Sequence, residues 1–337
     1  MLRAVGATGV GLTTIGEATA TDDGVRIDTI KHRGETLKSK LVPKEWYQHE
    51  TRVDAVAGAL RQQYEDIKTV DGVGLTGTDR TVAGKRVTRP IIYTSESASA
   101  VSVPSKRDGI SIEQRETPDL RLDTCYDQDY DNVPGGVQVE TGVPFSVACR
   151  VINSDGEPRL MTCAHGFKQC EGSIKGDELT QSDRLIGGVE DWSVGQDWAT
   201  VSLSASSPIN GFDPGVVDTQ RDVLGYVTEN GIKDLISTGE TVYHRGRKTC
   251  AQSGQVKETG FVFSNCEGTP QEDYGKYIRM STYTESGDSG GIHYKRYKVD
   301  GKEYASVIAP HHGSSNYGSY GCPAYRIHNN HGFDFGQ

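Results

Sequence analysis

Several features that would assign this 337-residue chain to a class of protein at once are missing from it. It has no run of about 18 apolar residues, the length that a membrane-spanning helix requires. Its seven cysteines include no C-x-x-C pair, which argues against a structural zinc site. Its formal net charge is −10, with no basic patch to neutralise phosphates, so a nucleic-acid partner is not expected. We therefore predict a soluble, acidic protein that needs no metal or other cofactor.

Glycine, in contrast, is abundant, with 41 residues, and the apolar residues fall in many short runs. This combination favours strands and turns over long helices. The length allows two domains, each with its own hydrophobic core. Length and composition together predict a mainly β protein with more than one domain.

Residues 1–20 are predicted to be an export signal whose basic N-terminal part is shortened. The stretch Leu2–Leu12 is mildly apolar and contains no acidic residue. It is followed by Ala18-Thr19-Ala20, a small-x-small pattern typical of signal cleavage, but only Arg3 supplies the basic front. We expect a secreted protein, which agrees with the many cysteines because disulfides form in oxidising compartments. The alternative is a glycine-rich N-terminus without an export function.

Residues 21–115 are predicted to form a small α+β domain. Residues 21–50 are polar and poorly patterned, and strand-like runs separated by glycines follow from Val73. Between them, apolar residues are spaced by three or four as in an amphipathic helix: Val53, Val56, Leu60, Tyr64 and Ile67. Because this region holds no catalytic constellation and precedes the rest of the chain, we interpret it as a pro-domain or accessory domain acting in cis.

Residues 116–132 are predicted to be an acidic linker. Asp127, Asp129 and Asp131 alternate as they do at the start of a calcium-binding loop. The glycine of such a loop is missing, and Gln138 stands where its bidentate glutamate belongs. A solvated linker therefore explains these acidic residues better than a metal site does.

Residues 133–337 carry a series of short strands separated by turns. The run Phe145–Ile152, for example, is followed by the hairpin signal Asn153–Gly156 and by a returning strand. Many short strands at such spacing favour a β-barrel or a β-sandwich.

The most informative residues of the chain are Gly287-Asp288-Ser289-Gly290-Gly291. The glycines leave open space beside Ser289, so a substrate backbone can approach it closely. Backbone N–H groups around such a turn can converge on a developing negative charge. A serine nucleophile also needs an imidazole as its base and an acid to orient that imidazole.

His165 and Asp197 are the candidates for the base and the acid. His165 follows the apolar stretch Met161–Ala164, at the exit of a strand. Asp191 and Asp197 occur in similar contexts, but Asp197 opens the alternating run Trp198–Leu203, where an orienting acid would be buried. Asp191 lies in a loop rich in glycine and acidic residues, so we favour Asp197.

The order His165, Asp197, Ser289 resembles that of a chymotrypsin-like serine protease of the bacterial streptogrisin and alpha-lytic type. Four stretches carry the resemblance: Thr162–His165, Asp197–Ala199, Gly287–Gly291 and Val133–Gly136, the last like the start of the mature family enzyme. The resemblance implies two six-stranded antiparallel β-barrels with the triad between them. It further implies a monomeric serine endopeptidase acting on protein or peptide substrates.

The same resemblance implies roles for the residues around the nucleophile. The N–H groups of Gly287 and Ser289 would form the oxyanion hole. Asp288 would anchor the turn through a buried ion pair, with Arg245 or Arg247 as its partner.

The resemblance also implies a substrate pocket, formed by five residues: Tyr283, Thr284, Glu285, His311 and His312. No aspartate stands at the base of this pocket, so a preference for arginine or lysine is not predicted. In relatives that cut after glutamate, a histidine on the strand of His311 and His312 binds the substrate carboxylate. The alternative is that these two are surface histidines without a role.

Two disulfide bridges are suggested on the same basis. Cys149 stands where the first family cysteine belongs, and it has two candidate partners, Cys163 and Cys170. Cys250 and Cys266 are candidates for the second bridge.

Two other functions stay open at this point. One is a catalytically silent protein that uses the protease fold for binding, against which an intact triad argues. The other is an esterase with the same triad, although the surroundings of Ser289 do not match the strand-to-helix elbow of α/β-hydrolases.

Overall fold

Strands dominate the fold. The computed structural model describes residues 18–21, 24–65, 67, 70–94, 102–117, 126–167, 172–263 and 275–336. The predicted pair of closed six-stranded antiparallel barrels is confirmed. Three helices accompany the strands in the described part of the chain, and none of them is both long and apolar enough to cross a membrane.

The N-terminal region, residues 18–117, packs one long helix against strands. Its elements are β1 Ala18–Thr21, β2 Gly24–His32, β3 Glu35–Val42, α1 Lys44–Tyr64, β4 Val70–Val82, β5 Lys85–Thr94, β6 Lys106–Arg107, β7 Ile110–Ser111 and β8 Glu113–Glu116. The predicted helix is confirmed, and its spaced apolar residues from Val53 to Tyr64 are buried. The helix begins earlier than expected, at Lys44, and it ends before Ile67.

The first 50 residues contain more structure than their sequence pattern predicts. Strands β2 and β3 form an antiparallel hairpin whose register shifts twice, between Asp28 and Lys31. Such irregularities break the period of two by which strands are recognised. Ala18–Thr21, which includes the predicted cleavage site, pairs with β2, and the rest of the predicted export signal lies outside the described residues.

The first barrel closes through six strands. They are β10 Gln138–Glu140, β11 Pro144–Ile152, β12 Pro158–Thr162, β13 Glu178–Gln181, β14 Arg184–Ser193 and β15 Trp198–Val201. Their order is β10-β13-β14-β15-β12-β11, and β11 pairs back with β10. Side chains such as Val147, Leu160 and Val201 fill its interior.

The second barrel also closes through six strands. They are β18 Thr241–Gly246, β19 Cys250–Phe263, β20 Gly275–Met280, β21 Ile292–Val299, β22 Lys302–Ser315 and β23 Gly318–Gly321. Their order is β22-β21-β18-β19-β20-β23, and β23 pairs back with β22. Its core includes Phe261, Tyr277 and Ile292.

The remaining elements join and flank the barrels. They are β9 Asn132–Gly135, β16 Gly211–Val216, β17 Val223–Val227, α2 Glu229–Thr238, α3 Ala324–His331 and β24 Asp334–Phe335. The expectation of strands and turns alone over residues 133–337 is therefore wrong for α2 and α3. Helix α2 is marked by end signals: the hydroxyl of Thr228 accepts a hydrogen bond from the Gly231 N–H, and Gly239 is left-handed with φ 64°.

The N-terminal region and the second barrel share one continuous sheet of 13 strands. Strand β2 pairs with β17, where Ile30 faces Val227. Strand β4 pairs with β19, where Leu75 faces Thr259. Helix α2 lies between these two seams and contacts β2, β4 and β5, so the N-terminal region covers it.

Two cysteines of the first barrel, Cys149 and Cys163, are not bridged. Cys149 and Cys163 are both free, buried thiols, so the disulfide predicted for Cys149 is wrong. Cys149 contributes to the core of the second barrel and its surroundings, whereas Cys163 packs inside the first barrel, so the two thiols belong to separate clusters. Cys170 and Cys266 lie outside the described residues, and the pairing of Cys250 with Cys266 stays a prediction.

Candidate active site

His165 and Asp197 come from two paired strands of the first barrel. Strands β12 and β15 are antiparallel neighbours in which Thr162 faces Ala199. His165 follows the end of β12, and Asp197 immediately precedes β15. Both side chains therefore leave the barrel at the same edge, as the sequence pattern predicts.

The carboxylate of Asp197 holds His165 by two hydrogen bonds. One oxygen, Oδ2, lies 2.7 Å from Nδ1 of the imidazole, and the other, Oδ1, accepts the backbone N–H of His165 at 2.9 Å. Asp197 is buried and has a left-handed backbone with φ 52°, a conformation that aspartate tolerates better than most residues. The two bonds fix both the direction of the imidazole and the tautomer with a proton on Nδ1.

Charge pairing overrides burial at these two residues. Burial alone raises the pKa of a carboxyl group and lowers that of an imidazole, because it penalises the charged forms. The facing charges outweigh burial, so the pKa of His165 lies well above its ordinary value and that of Asp197 well below. Asp197 is therefore a carboxylate that can only accept hydrogen bonds.

A second imidazole binds the same carboxylate. Nδ1 of His312, on β22 of the second barrel, lies 2.5 Å from Asp197 Oδ2. The ring of His312 packs edge-on to that of His165, at 5.5 Å between centroids, and against the ring of Tyr277 at 4.8 Å. His312 was expected in the substrate pocket, but its side chain is 3% exposed and binds the acid instead.

His165, Asp197 and His312 also satisfy the residue types of a metal site, since their ligand atoms lie within 4.8 Å of one another. The distances argue against this use. Ligands about 2.1 Å from a tetrahedral zinc ion are about 3.4 Å apart, whereas the two N–O separations here are 2.7 and 2.5 Å. These are separations of hydrogen bonds, so the group is suited to holding and moving protons.

Ser289 lies on a turn that precedes β21 in the second barrel. Its hydroxyl donates to the backbone oxygen of His312 at 3.4 Å, and it is 3% exposed. Within the described part of the chain, Nε2 of His165 makes no hydrogen bond, so the serine and the imidazole are not bonded to each other. In unliganded enzymes, the hydrogen bond between a catalytic hydroxyl and its base is often long, and it shortens only when substrate binds.

The first barrel holds the serine turn by two hydrogen bonds from Ser146. The backbone N–H of Ser146 donates to the oxygen of Ser289 at 2.7 Å, and its hydroxyl donates to the oxygen of Gly287 at 2.9 Å. Gly287 has φ 111°, and a Cβ on Gly290 would lie 2.1 Å from the oxygen of Ser146. Both positions therefore require glycine. Ser146 carries no sequence motif, and only the paired barrels reveal its role.

Asp288 is fully buried beneath the turn, as expected of an anchor, but its partners differ from the arginines that were expected. The hydroxyl of Thr249 donates to it at 2.5 Å, the N–H of Lys248 at 2.9 Å, and Nε2 of His244 lies 3.6 Å away. Although burial raises the pKa of Asp288, His244 and Thr249 lower it to about 2. The guanidinium of Arg245 instead donates to the oxygen of His244.

The other arginine expected as a partner of Asp288 was Arg247, whose backbone contacts Ser146 of the first barrel. Its N–H donates to the hydroxyl of Ser146 at 2.9 Å, beside the turn. The segment that contains both arginines therefore lies against the turn, and its hydrogen bonds to Asp288 come from Lys248 and Thr249, which follow Arg247.

His311 belongs to a cluster of three fully buried imidazoles behind the turn. Its Nδ1 lies 3.1 Å from Nε2 of His293, and the ring of His293 lies 4.4 Å from that of His244. Burial and the two neighbouring imidazoles hold the pKa of His293 well below its ordinary value. The alternative of surface histidines is therefore wrong for this residue and for His312. His293 was missed because nothing in its local sequence marks it.

The other predicted pocket residues lie just before the turn. Tyr283 is exposed and its hydroxyl donates to Glu285, whereas Thr284 is buried. The backbone N–H groups of Asp288 and Glu285 tie this stretch to the serine turn, since the first donates to the oxygen of Glu285 and the second to the carboxylate of Asp288.

Proteins similar to this chain are found among solved structures. No protein-family model matches the chain, and no curated protein matches it by sequence. Among solved structures, the chain is similar to Nocardiopsis protease, at 20% identity over 61% of this chain and 100% of that one, with a TM-score of 0.45. Thermobifida fusca protease A is 18% identical over 61% and 99%, with a TM-score of 0.45. A glutamic acid-specific serine protease described as using a histidine triad in substrate binding is 18% identical over 60% and 100%, at 0.44. At these identities the likeness concerns the fold alone.

The charge pairing at His165 predicts an unusual order of histidine titration. We expect the imidazole of His165 to titrate above pH 6.5, because the Asp197 carboxylate favours its protonated form. His49 and His293 serve as internal controls and should titrate below that value. Nuclear magnetic resonance of ¹⁵N-histidine-labelled protein checks this order, and Asp197→Asn should lower the pKa of His165. A His165 signal that titrates at or below pH 6.5 in the unsubstituted protein would contradict this reading of the site.

Proposed function

We propose that the chain is a serine endopeptidase. The observation that carries the proposal is the imidazole of His165, held by a buried carboxylate with its Nε2 making no hydrogen bond within the described residues. An imidazole fixed in this tautomer is equipped to accept a proton from a neighbouring hydroxyl. The hydroxyl that fits this role is that of Ser289, on a glycine-flanked turn, because it binds the backbone oxygen of His312, whose ring packs edge-on to that of His165.

The reaction proceeds through an acyl-enzyme. Ser289 Oγ attacks the carbonyl carbon of the peptide bond while His165 Nε2 takes the hydroxyl proton, and Asp197 stabilises the resulting imidazolium. The N–H groups of Gly287 and Ser289 bind the oxyanion. His165 returns its proton to the leaving amine. Water, activated by the same imidazole, then hydrolyses the ester bond to Ser289 and frees the acid product.

The physical cost of the site argues against a catalytically silent binding protein. A buried carboxylate and a buried imidazole cost free energy to desolvate, and an apolar pair of similar volume would often be more stable. An esterase would use the same residues. However, the residues after Ser289 enter strand β21 and not a helix, unlike the elbow of α/β-hydrolases.

We infer further that the N-terminal region remains part of the folded enzyme and is its partner in cis. Two charged residues of α2 support this inference. Lys233, whose side chain is 4% exposed, binds Asp54 of α1 at 2.7 Å. Asp234 binds Lys40 at 2.9 Å and Lys85 at 2.7 Å, on β3 and β5. Every one of these partners lies in the N-terminal region, which therefore satisfies the charges of α2.

A second buried charge lies at the other seam of the shared sheet. Glu258 on β19 has a side chain that is 1% exposed, and it binds Arg279 of its own barrel at 2.7 Å. It also binds Arg115 and the hydroxyl of Tyr93, both from the N-terminal region. Among the described residues, the N-terminal region thus supplies two of the three partners of this carboxylate.

The backbones also meet more closely at this seam than any side chain would permit. A Cβ on Gly74 of β4 would lie 1.8 Å from the oxygen of Thr259, and one on Gly260 would lie 2.4 Å from the Cα of Gly74. Such an approach is typical of a permanent packing surface. It supports a retained domain over a pro-domain that is removed. Export, a zymogen stage and a monomeric state stay predictions of the sequence.

The proposed triad predicts large, non-additive losses of activity. Ser289→Ala and His165→Ala should each lower kcat for a chromogenic peptide by about 10⁶-fold, and the double variant should be no slower than either, because the two residues act as one unit. Ser154→Ala, in an exposed hairpin turn of the first barrel, is the matched control and should keep the full rate. Peptide hydrolysis that survives Ser289→Ala would refute the mechanism.

Retention of the N-terminal region predicts a stable two-chain enzyme. A specific protease site inserted between Thr117 and Tyr126 allows the folded chain to be cut, and both fragments should elute together with peptidase activity intact. Lys233→Met should loosen the cut complex, because it leaves Asp54 without its ammonium partner, a loss of about 3–5 kcal/mol.

Glu229→Gln is the control for this experiment. Its carboxylate lies 3.5 Å from the same ammonium but is more exposed, so we expect little effect. Fragments that separate after cutting, with activity in the barrel fragment alone, would contradict the inference and support a removable pro-domain.

A further inference from the structure

Asp197 receives imidazoles from both barrels on one oxygen atom. His165 reaches Oδ2 from the first barrel and His312 reaches it from β22 of the second, at 2.7 and 2.5 Å. Because Asp197 is a carboxylate, each of these contacts requires a proton on the imidazole Nδ1. His312 is therefore a second donor to the acid of the proposed triad.

Residue 312 contacts the nucleophile as well. Its backbone oxygen accepts the hydroxyl of Ser289 at 3.4 Å, while its side chain binds Asp197. A single residue of the second barrel thus touches a proposed triad member from each barrel. Any shift of one barrel against the other would change both contacts together.

The ring of His312 is itself supported from the second barrel. Tyr277 on β20 packs against it and donates its hydroxyl to the oxygen of Gly195, two residues before Asp197, at 3.2 Å. Tyr277 is fully buried, so this contact also crosses between the barrels in a dry environment. The acid loop of the first barrel is therefore held by two neighbouring side chains of the second.

We propose that His312 is a positioning residue that keeps the Asp197 carboxylate of the first barrel aligned with Ser289 of the second, an inference that rests on the proposed peptidase function. A second consequence concerns basicity. His312 donates to the same carboxylate oxygen of Asp197 that binds His165. This second hydrogen bond withdraws electron density from that oxygen, so the oxygen stabilises a protonated His165 less strongly. His312 thereby limits how far Asp197 raises the pH at which His165 becomes a competent base.

His312 acts as a neutral donor in this arrangement. Burial lowers its pKa, and the neighbouring His165 and His311 lower it further, against the opposing effect of Asp197. The titratable groups that face it are these three and the Tyr277 phenol, whose pKa burial raises. The acid limb of a pH profile therefore reports His165, because His312 does not gain a proton in the same range.

Two substitutions separate the donor from the shape of the ring. The amide nitrogen of His312→Asn lies near the position of imidazole Nδ1 and can donate to Asp197, whereas His312→Leu fills a similar volume without a donor. We expect His312→Leu to lower kcat for a peptide by about 10- to 100-fold at unchanged KM, the order of effect of a misplaced catalytic group. Its acid limb should move to higher pH. His312→Asn should keep a kcat and an acid limb close to those of the unsubstituted protein.

The outcomes distinguish this inference from the proposed function. If the unsubstituted protein hydrolyses no peptide, the proposed function fails and the inference with it. If that protein is active but His312→Leu retains both kcat and the acid limb, the positioning role alone is overturned. Equal loss in the Leu and Asn variants, or a lower melting temperature with an unmoved acid limb, would indicate a merely structural ring and also overturn it.

One measurement does not depend on how the variants fold. ¹⁵N-histidine spectra of the unsubstituted protein should show His312 neutral with its proton on Nδ1. A neutral His312 that carries its proton on Nε2 would contradict the proposal.

Discussion

The constraint on which the candidate site depends is the buried carboxylate of Asp197, at the seam between the two barrels. A desolvated carboxylate costs several kcal/mol unless donors surround it. Its donors are the N–H and Nδ1 of His165 from one barrel and Nδ1 of His312 from the other. Both barrels therefore supply donors to this carboxylate, and the same arrangement brings the turn of Ser289 against Ser146 of the first barrel.

The serine turn is fixed in the same way, by contacts from several directions. Ser146 of the first barrel binds the oxygens of Gly287 and Ser289, while Thr249 and His244 surround Asp288 from within the second barrel. Gly290 and Gly291 have no room for a side chain, since a Cβ would lie 2.1 Å from the oxygen of Ser146 and 2.5 Å from that of Arg245, respectively. Lack of space explains these two glycines better than flexibility does. A preorganised turn of this kind keeps its N–H groups in place before any charge develops on a substrate.

The residues of the candidate site that local sequence patterns mark could be predicted from the sequence. His165 and Asp197 were identified because each ends or opens a strand-like run, and Ser289 because its turn is a motif. The many short strands favoured a barrel or a sandwich, and the two six-stranded barrels were implied by the family resemblance. The contacts of His312, His244 and Ser146 could not be found, because they depend on which strands meet and in what register. The expected arginine partner of Asp288 and the Cys149 disulfide were taken from a resemblance, and this chain departs from it at both places. The shared sheet of the N-terminal region was invisible because bulges obscure the period of β2 and β3.

The central claim is that the two barrels make Ser289 a nucleophile through His165 and Asp197. Its most direct test is the reaction of the whole chain with a fluorophosphonate, followed by mass mapping of the modified peptides. One adduct per chain, on Ser289, with a rate that falls as His165 becomes protonated at lower pH, is the predicted result. No adduct, an adduct on another residue, or a rate on Ser289 that does not depend on pH would contradict the claim.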